Sequence, residues 1–167
     1  ELLIKGPMTL HGEGATLEHL ITDTTSGLII GNNTASHATN VWVYGLTIDL
    51  KRTALDVIVY PSGITVRFGD DIHLLGVKVK NTGFQGISVD RGAIGVWIED
   101  SIVTNAWGDG IHIGDPTLPD VIHSVWLLRN RIIDAFDDSL GFTGGVSNIW
   151  VIDNILTKTS LGACIDV

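Results

Sequence analysis

Asp109, Asp137 and Asp138 are the residues of this sequence whose type and spacing best suit chemistry. Six of its 19 acidic residues fall in one stretch: Asp109, Asp115, Asp120, Asp134, Asp137 and Asp138. The peptides Asp109-Gly110-Ile111-His112-Ile113 and Asp138-Ser139-Leu140-Gly141-Phe142 share a pattern, an acid followed by a small residue and an alternating apolar run. If the two peptides are neighbours in a folded repeat, the acids stand one strand spacing apart, roughly 4.8 Å. Carboxylates that close resist ionising together, so one keeps its proton while another stays charged, the combination that general acid and base catalysis needs. A bound calcium ion would relieve the same repulsion, and Asp and Asn also serve structural roles at chain corners. His112 follows Asp109 by three residues and faces outward on the same strand. Ser62 and Gln85 hold the position of Asp109 on earlier repeats and Ala163 holds it on the next, so the acidic pair is local to two repeats.

The elements that must position these residues follow from internal repetition. Val41-Trp42-Val43, Ile72-His73-Leu74, Val96-Trp97-Ile98, Val125-Trp126-Leu127 and Ile149-Trp150-Val151 recur at steps of 31, 24, 29 and 24 residues. A second set recurs at 23, 24, 29 and 25 residues: Gly63-Ile64-Thr65-Val66, Gly86-Ile87-Ser88-Val89, Gly110-Ile111-His112-Ile113, Ser139-Leu140-Gly141-Phe142 and Cys164-Ile165-Asp166-Val167. Both sets alternate apolar with variable residues, the period of a strand with one buried face. Short strands that return to the same place one repeat later stack in parallel, which makes the predicted fold all-β, a right-handed parallel β-helix of about six coils. Asn81, Asn105 and Asp134 fall at one equivalent corner, and Asn130 and Asn154 form a similar pair.

The register assigns the core. Val41, Ile72, Val96, Val125 and Ile149 form one inward column, the aliphatic residues two positions on form a second, and Ile48, Val79, Val103, Ile132 and Leu156 form a third. The same alternation turns Trp42, Trp97, Trp126 and Trp150 outward. Tyr44, Leu75, Glu99, Leu128 and Ile152 line that outer face too, so much of it is aliphatic. Such a patch predicts packing against another copy, as in a homotrimer, or against another stretch of the chain, ahead of a platform for stacking sugar rings.

Composition limits the partners. The chain has 167 residues, 20 glycines, one cysteine and a net charge of -9. One cysteine permits neither a disulfide framework nor a cysteine-based metal site, and Cys164 reads as a small residue at a strand start. The charge argues against nucleic acid and against a strongly anionic ligand unless a basic patch or a cation intervenes. No apolar run approaches the roughly 20 residues that span a bilayer, which argues against a membrane. Residues 1–167 are expected to form a single β-helix domain, part of a longer chain whose capping coils are absent, because open solenoid ends expose core and unpaired strand edges. The longer coils, through Asn32 to Asn40 and Gly114 to Asp120, are expected to project corner loops. No His or carboxylate grouping has transition-metal spacing; His11, His19, His37, His73 and His123 read as scattered corner or surface residues, leaving His112 as the functional histidine.

The run Asn105-Ala106-Trp107-Gly108-Asp109-Gly110-Ile111-His112-Ile113, followed one coil on by Asp137-Asp138-Ser139-Leu140-Gly141-Phe142, resembles the Asn-x-Asp-Gly and Asp-Asp motifs of polygalacturonase-type glycoside hydrolases. Here two residues, Trp107 and Gly108, separate Ala106 from Asp109. Where that family carries Gly-His-Gly, this chain reads Ser160-Leu161-Gly162-Ala163-Cys164. The whole chain resembles the pectate-lyase-like β-helix superfamily, and Lys5-Gly6-Pro7-Met8-Thr9-Leu10-His11-Gly12-Glu13-Gly14-Ala15-Thr16 is similar to the first coils of such enzymes and of phage tailspikes. The resemblance implies an extracellular protein, secreted or virion-associated, acting on a polysaccharide substrate. Carried over by position, Asp137 would be the general acid, and Asp109 and Asp138 would activate the attacking water with inversion, which needs roughly 6.5 to 9.5 Å between carboxyls. His112, Arg91, Gln85 and Asp115 are the candidate substrate-binding residues, with no cofactor expected unless calcium is bound. A calcium-dependent lyase would instead use Arg91 as base, although Arg91 beside Asp90 also reads as a surface ion pair. An epimerase of this fold would carry Asp-Pro-His where Asp115-Pro116-Thr117 stands. The alternative of another class is a non-catalytic structural or glycan-binding shaft.

Overall fold

A computed structural model describes residues 2–18, 26–31, 37–52, 61–115, 121–157 and 159–167. His19, Asp120, Pro116-Thr117 and the 32–36 and 116–120 stretches of the two expected corner loops lie outside the described residues. The described strands form three parallel sheets wound into a parallel β-helix, without a helix among the described residues. Sheet A has seven strands: Leu2–Ile4, Leu28–Ile30, Ile64–Arg67, Ile87–Asp90, Ile111–Ile113, Leu140–Phe142 and Ile165–Asp166. Sheet B has six, Met8–His11, Ala38–Tyr44, Gly69–Leu75, Ile94–Glu99, Ile122–Leu128 and Val146–Ile152. Sheet C has six, Thr16–Glu18, Thr47–Asp49, Lys78–Thr82, Ile102–Ala106, Arg131–Ile133 and Ile155–Leu156.

The predicted register holds throughout. Val41 lies opposite Ile72, Ile72 opposite Val96, Val96 opposite Val125 and Val125 opposite Ile149. Gly63-Ile64 also has earlier counterparts, with Ile64 opposite Leu28 and Leu28 opposite Leu2, and Met8 opposite Val41. The long coil between Ile30 and Ile64 hides that continuation from a search for a constant period. Inside the coils Ile48, Ile64, Ile72, Ile87, Ile98 and Ile111 are fully buried. Each such side chain contributes roughly 1.5 to 3 kcal/mol.

Many of the bends between sheets turn on a left-handed residue. Between sheets B and C the column Gly45, Gly76, Asp100, Arg129 and Asp153 has φ of 60°, 63°, 50°, 55° and 56°. In the last three of these coils the side chain of the next residue, Ser101, Asn130 or Asn154, accepts from a backbone amide of the preceding coil. The Ser101 amide donates to Asn130 Oδ1 at 3.0 Å and the Asn130 amide donates to Asn154 Oδ1 at 2.8 Å. Between sheets C and A, Asn81, Asn105 and Asp134 have φ of 55°, 54° and 57°. Asn105 Nδ2 donates to Asn81 Oδ1 and Asn81 Nδ2 to Asp49 Oδ1, each at 2.8 Å. Asn and Asp tolerate this conformation better than other non-glycine residues, and the ladder repays it with hydrogen bonds.

The outward tryptophans are stacked. Trp42, His73, Trp97, Trp126 and Trp150 form one column with centroid separations of 3.6, 4.4, 4.2 and 4.6 Å, planes within 6° of parallel. His73 is therefore not a scattered surface histidine. It fills the place of an indole and bonds Asp71 Oδ1 through Nε2 at 3.0 Å. Because neighbouring rings cover one another's faces, the column presents mostly ring edges, which removes the sugar-stacking platform as a use for its interior members.

Candidate active site

Asp109 and Asp138 stand at equivalent places just before consecutive strands of sheet A, as the alignment requires. The Gly86 amide donates to the Asp109 carbonyl at 2.9 Å and the Gly110 amide to the Asp138 carbonyl at 2.8 Å. Their side chains have a structural task beyond the one anticipated from sequence. The Asp138 amide donates to Asp109 Oδ1 at 3.1 Å, and the Ala163 amide donates to Asp138 Oδ1 at 2.5 Å. Each carboxylate thus ties down the backbone of the following coil, which Asn could also do through its carbonyl oxygen.

The other oxygen of Asp109 distinguishes it. Oδ2 lies 2.5 Å from His112 Nδ1, and His112 Nε2 lies 3.2 Å from the Thr143 hydroxyl. With Nδ1–H donating to the carboxylate, Nε2 accepts from Thr143 and the neutral ring is satisfied at both nitrogens. Two glycines make room. A methyl at Gly141, opposite His112 on the next coil, would lie 2.5 Å from Asp109 Oδ2. A methyl at Gly162 would lie 2.1 Å from Asp138 Oδ1. Thr143, Gly141 and Gly162 were not among the predicted site residues, although a glycine inside a strand at Gly141, where earlier coils carry Thr65, Ser88 and His112, signals close approach.

Asp137 is the free carboxyl. It is exposed, its side chain has no hydrogen-bond partner among the described residues, and one of its oxygens lies within 4.8 Å of one oxygen each of Asp109 and Asp138. Partial burial, then the negative charges of Asp109, Asp138 and Asp166, hold its carboxyl above the ordinary carboxylate range. The carboxyl whose protonated form this site favours is Asp137. The spacing is tighter than anticipated, since the roughly 6.5 to 9.5 Å gap for an interposed water is not present between these oxygens. The same three oxygens could converge on a hard cation such as calcium.

A cleft of about 400 Å³ runs across the outer face of sheet A from His112 and Thr143. Ser62, Thr65, Gln85 and Ser88 form its floor, with Ser26 at one end and Phe84 at its rim. The Ser62 hydroxyl donates to Gln85 Oε1 at 3.0 Å, and the Ser26 and Thr65 hydroxyls are 2.8 Å apart. Beside the acids, Trp107 stacks on Phe136 at 4.1 Å, and Phe136 directly precedes Asp137. Arg91 does not pair with Asp90. Arg67 lies 3.6 Å from Asp90, and Arg91 lies 3.6 Å from Asp115. Gln85 precedes strand Ile87–Asp90 and Arg91 follows it, so Arg91 stands at the opposite edge of the sheet from the Asp109 column. Of the four candidate substrate-binding residues, Gln85, His112 and Asp115 line the cleft, and Arg91 does not but lies against Asp115.

No protein-family model matches this sequence, and no curated protein matches it. Among solved structures it is similar to one from Parabacteroides merdae described as a "putative glycosyl hydrolase", with a TM-score of 0.44 and 10% identity over 90% of this chain and 77% of that one.

Proposed function

We propose that this protein hydrolyses a glycosidic bond of a polysaccharide laid in the cleft of sheet A. The observation that carries the reading is an unpartnered carboxyl, Asp137, its pKa raised by burial and then by its acidic neighbours, clustered with Asp138 and with Asp109, which bonds the cleft-lining His112. Asp137 gives its proton to the departing sugar oxygen. Asp138 Oδ2, which the Ala163 amide leaves unengaged, attacks the anomeric carbon as the bond to the departing oxygen breaks, and a water deprotonated by the Asp137 carboxylate then hydrolyses the glycosyl ester. Asp109 is fixed by His112 and by the Asp138 amide, so it acts as a positioning residue whose charge keeps the proton on Asp137. Phe136, stacked on Trp107, places an aromatic side chain directly before the donor in the chain.

The test is reducing-sugar release from a panel of polysaccharides by the intact protein and by Asp137→Asn, with circular dichroism to confirm the fold. Loss of all release in a folded variant supports the assignment; unchanged release refutes it. The second reading, a non-catalytic shaft, is favoured by the backbone ties that Asp109 and Asp138 make. It expects no release from any polymer by the unaltered protein.

A further inference from the structure

We propose that the cleft is built for an uncharged glycan and rejects polyuronates, an inference that rests on the glycosidase reading above. The cations beside the cleft are each matched by a carboxylate. Arg67 faces Asp90 and Arg91 faces Asp115, both at 3.6 Å. Arg67 is 23% exposed and Asp90 14%, while Asp115 is 16% and Arg91 41% exposed, and both pairs are ion pairs without a hydrogen bond between the atoms at 3.6 Å. Two positive and two negative charges cancel, and the cluster of Asp109, Asp137 and Asp138, joined to the cleft through His112, then leaves the neighbourhood negative. A polymer bearing a carboxylate on every sugar would meet that field with the charge of each of these guanidiniums already opposed by a carboxylate.

What the cleft does offer is hydrogen bonding of the kind that hydroxyls use. Ser26, Ser62, Thr65, Gln85, Ser88 and Thr143 present hydroxyl and amide groups that both donate and accept. Phe84, 39% exposed, adds an apolar face at the rim. Neutral sugar rings have that same composition, hydroxyls around the edge and C–H groups on the faces. An ion pair such as Arg67 and Asp90 also suits neighbouring hydroxyls, because one member donates while the other accepts.

The experiment compares binding and cleavage of neutral polymers (galactomannan, mixed-linkage β-glucan, arabinogalactan) with polygalacturonate and alginate, using affinity electrophoresis and reducing-sugar release. At least one neutral polymer should retard and be cut by the intact protein, with neither polyuronate doing so. Cleavage or retardation by a polyuronate alone overturns the neutral-glycan inference and leaves the hydrolase reading standing. Inertness toward every polymer overturns both. A second arm frees the arginines: Asp90→Asn with Asp115→Asn should tighten polygalacturonate binding by about tenfold or more, the scale of one charge-assisted hydrogen bond. If that variant is folded by circular dichroism and gains nothing, the masking of the arginines is refuted.

Discussion

Replacing Gly141 by alanine probes the centre of the site without touching an ionisable group. The backbone there is not left-handed, so the cost is steric: the new methyl would sit 2.5 Å from Asp109 Oδ2, 2.9 Å from its carboxyl carbon and 3.1 Å from His112 Nδ1. If the side chains yield, the Asp109–His112 hydrogen bond breaks, worth about 1.5 to 3 kcal/mol for a charged acceptor. If the strand yields, overpacking costs about 1 to 3 kcal/mol. Either route lowers stability by about 2 kcal/mol, or about 4 to 8 °C in Tm for a chain of this size. Activity should fall about a hundredfold through misplacement of the carboxylates. Gly144 is the control, since a methyl there meets nothing within 4 Å; Gly144→Ala should change Tm by no more than a degree or two and leave activity intact. Differential scanning calorimetry and sugar release read both quantities. A Gly141→Ala protein with the Tm and turnover of the Gly144 control would refute the packing that joins Asp109 to His112. A lowered Tm with unchanged turnover would refute only the catalytic part.

Other outcomes follow from the same geometry. Asp137 has a raised carboxyl pKa from burial and then its acidic neighbours, so folding favours its protonated form and stability declines as pH rises from the unfolded value through the folded one. Asp137→Asn should remove that decline and stabilise the protein at neutral pH while abolishing cleavage, and a flat difference between the two denaturation-versus-pH curves would contradict it. Asp49 has the opposite sign. Its pKa is lowered to about 2 against burial, by the Asn81 side chain, the Lys51 amide and the Lys51 and Lys80 ammonium groups. Its contribution, about 1 to 2 kcal/mol once solvent screening of the half-exposed lysine ends is allowed for, is present above the unfolded value near 3.8 and lost as pH falls toward 2. Urea unfolding of Asp49→Asn should show that deficit at pH 7 and little of it near pH 2. His73→Ala opens a gap in the aromatic column and should cost about 1 to 3 kcal/mol for two lost stacking contacts, with a changed near-ultraviolet circular dichroism spectrum. His73→Trp should restore both, and a His73→Ala protein as stable as the parent would show that the stack contributes nothing.

Much of the architecture was legible because it is written locally and then repeated. Alternation decides which face of a strand is buried, and recurrence at about two dozen residues decides which strands are neighbours, so the columns through Val41, Ile64 and Ile48 could be drawn before any coordinates. The corners between sheets C and A were legible for a related reason: a left-handed residue has few tolerant side chains, and those of Asn81, Asn105 and Asp134 are among them. Sheet A's earliest strands escaped notice since the intervening coil departs from the period.

The site divides along the same line. From the chain alone came the stacking of Asp109 over Asp138, with His112 on the adjoining strand and Gln85 in the same column, because register is a property of backbone pairing. Tertiary structure decided which oxygen of each carboxylate is occupied, that Asp137 is the one left free, that Gly141 and Gly162 are the hollows receiving the acids, and that Arg91 turns to Asp115. Those outcomes depend on side-chain rotamers and on fields summed over groups a coil apart. A one-dimensional pattern records neither, since each is settled only when the coils close over one another and exclude water.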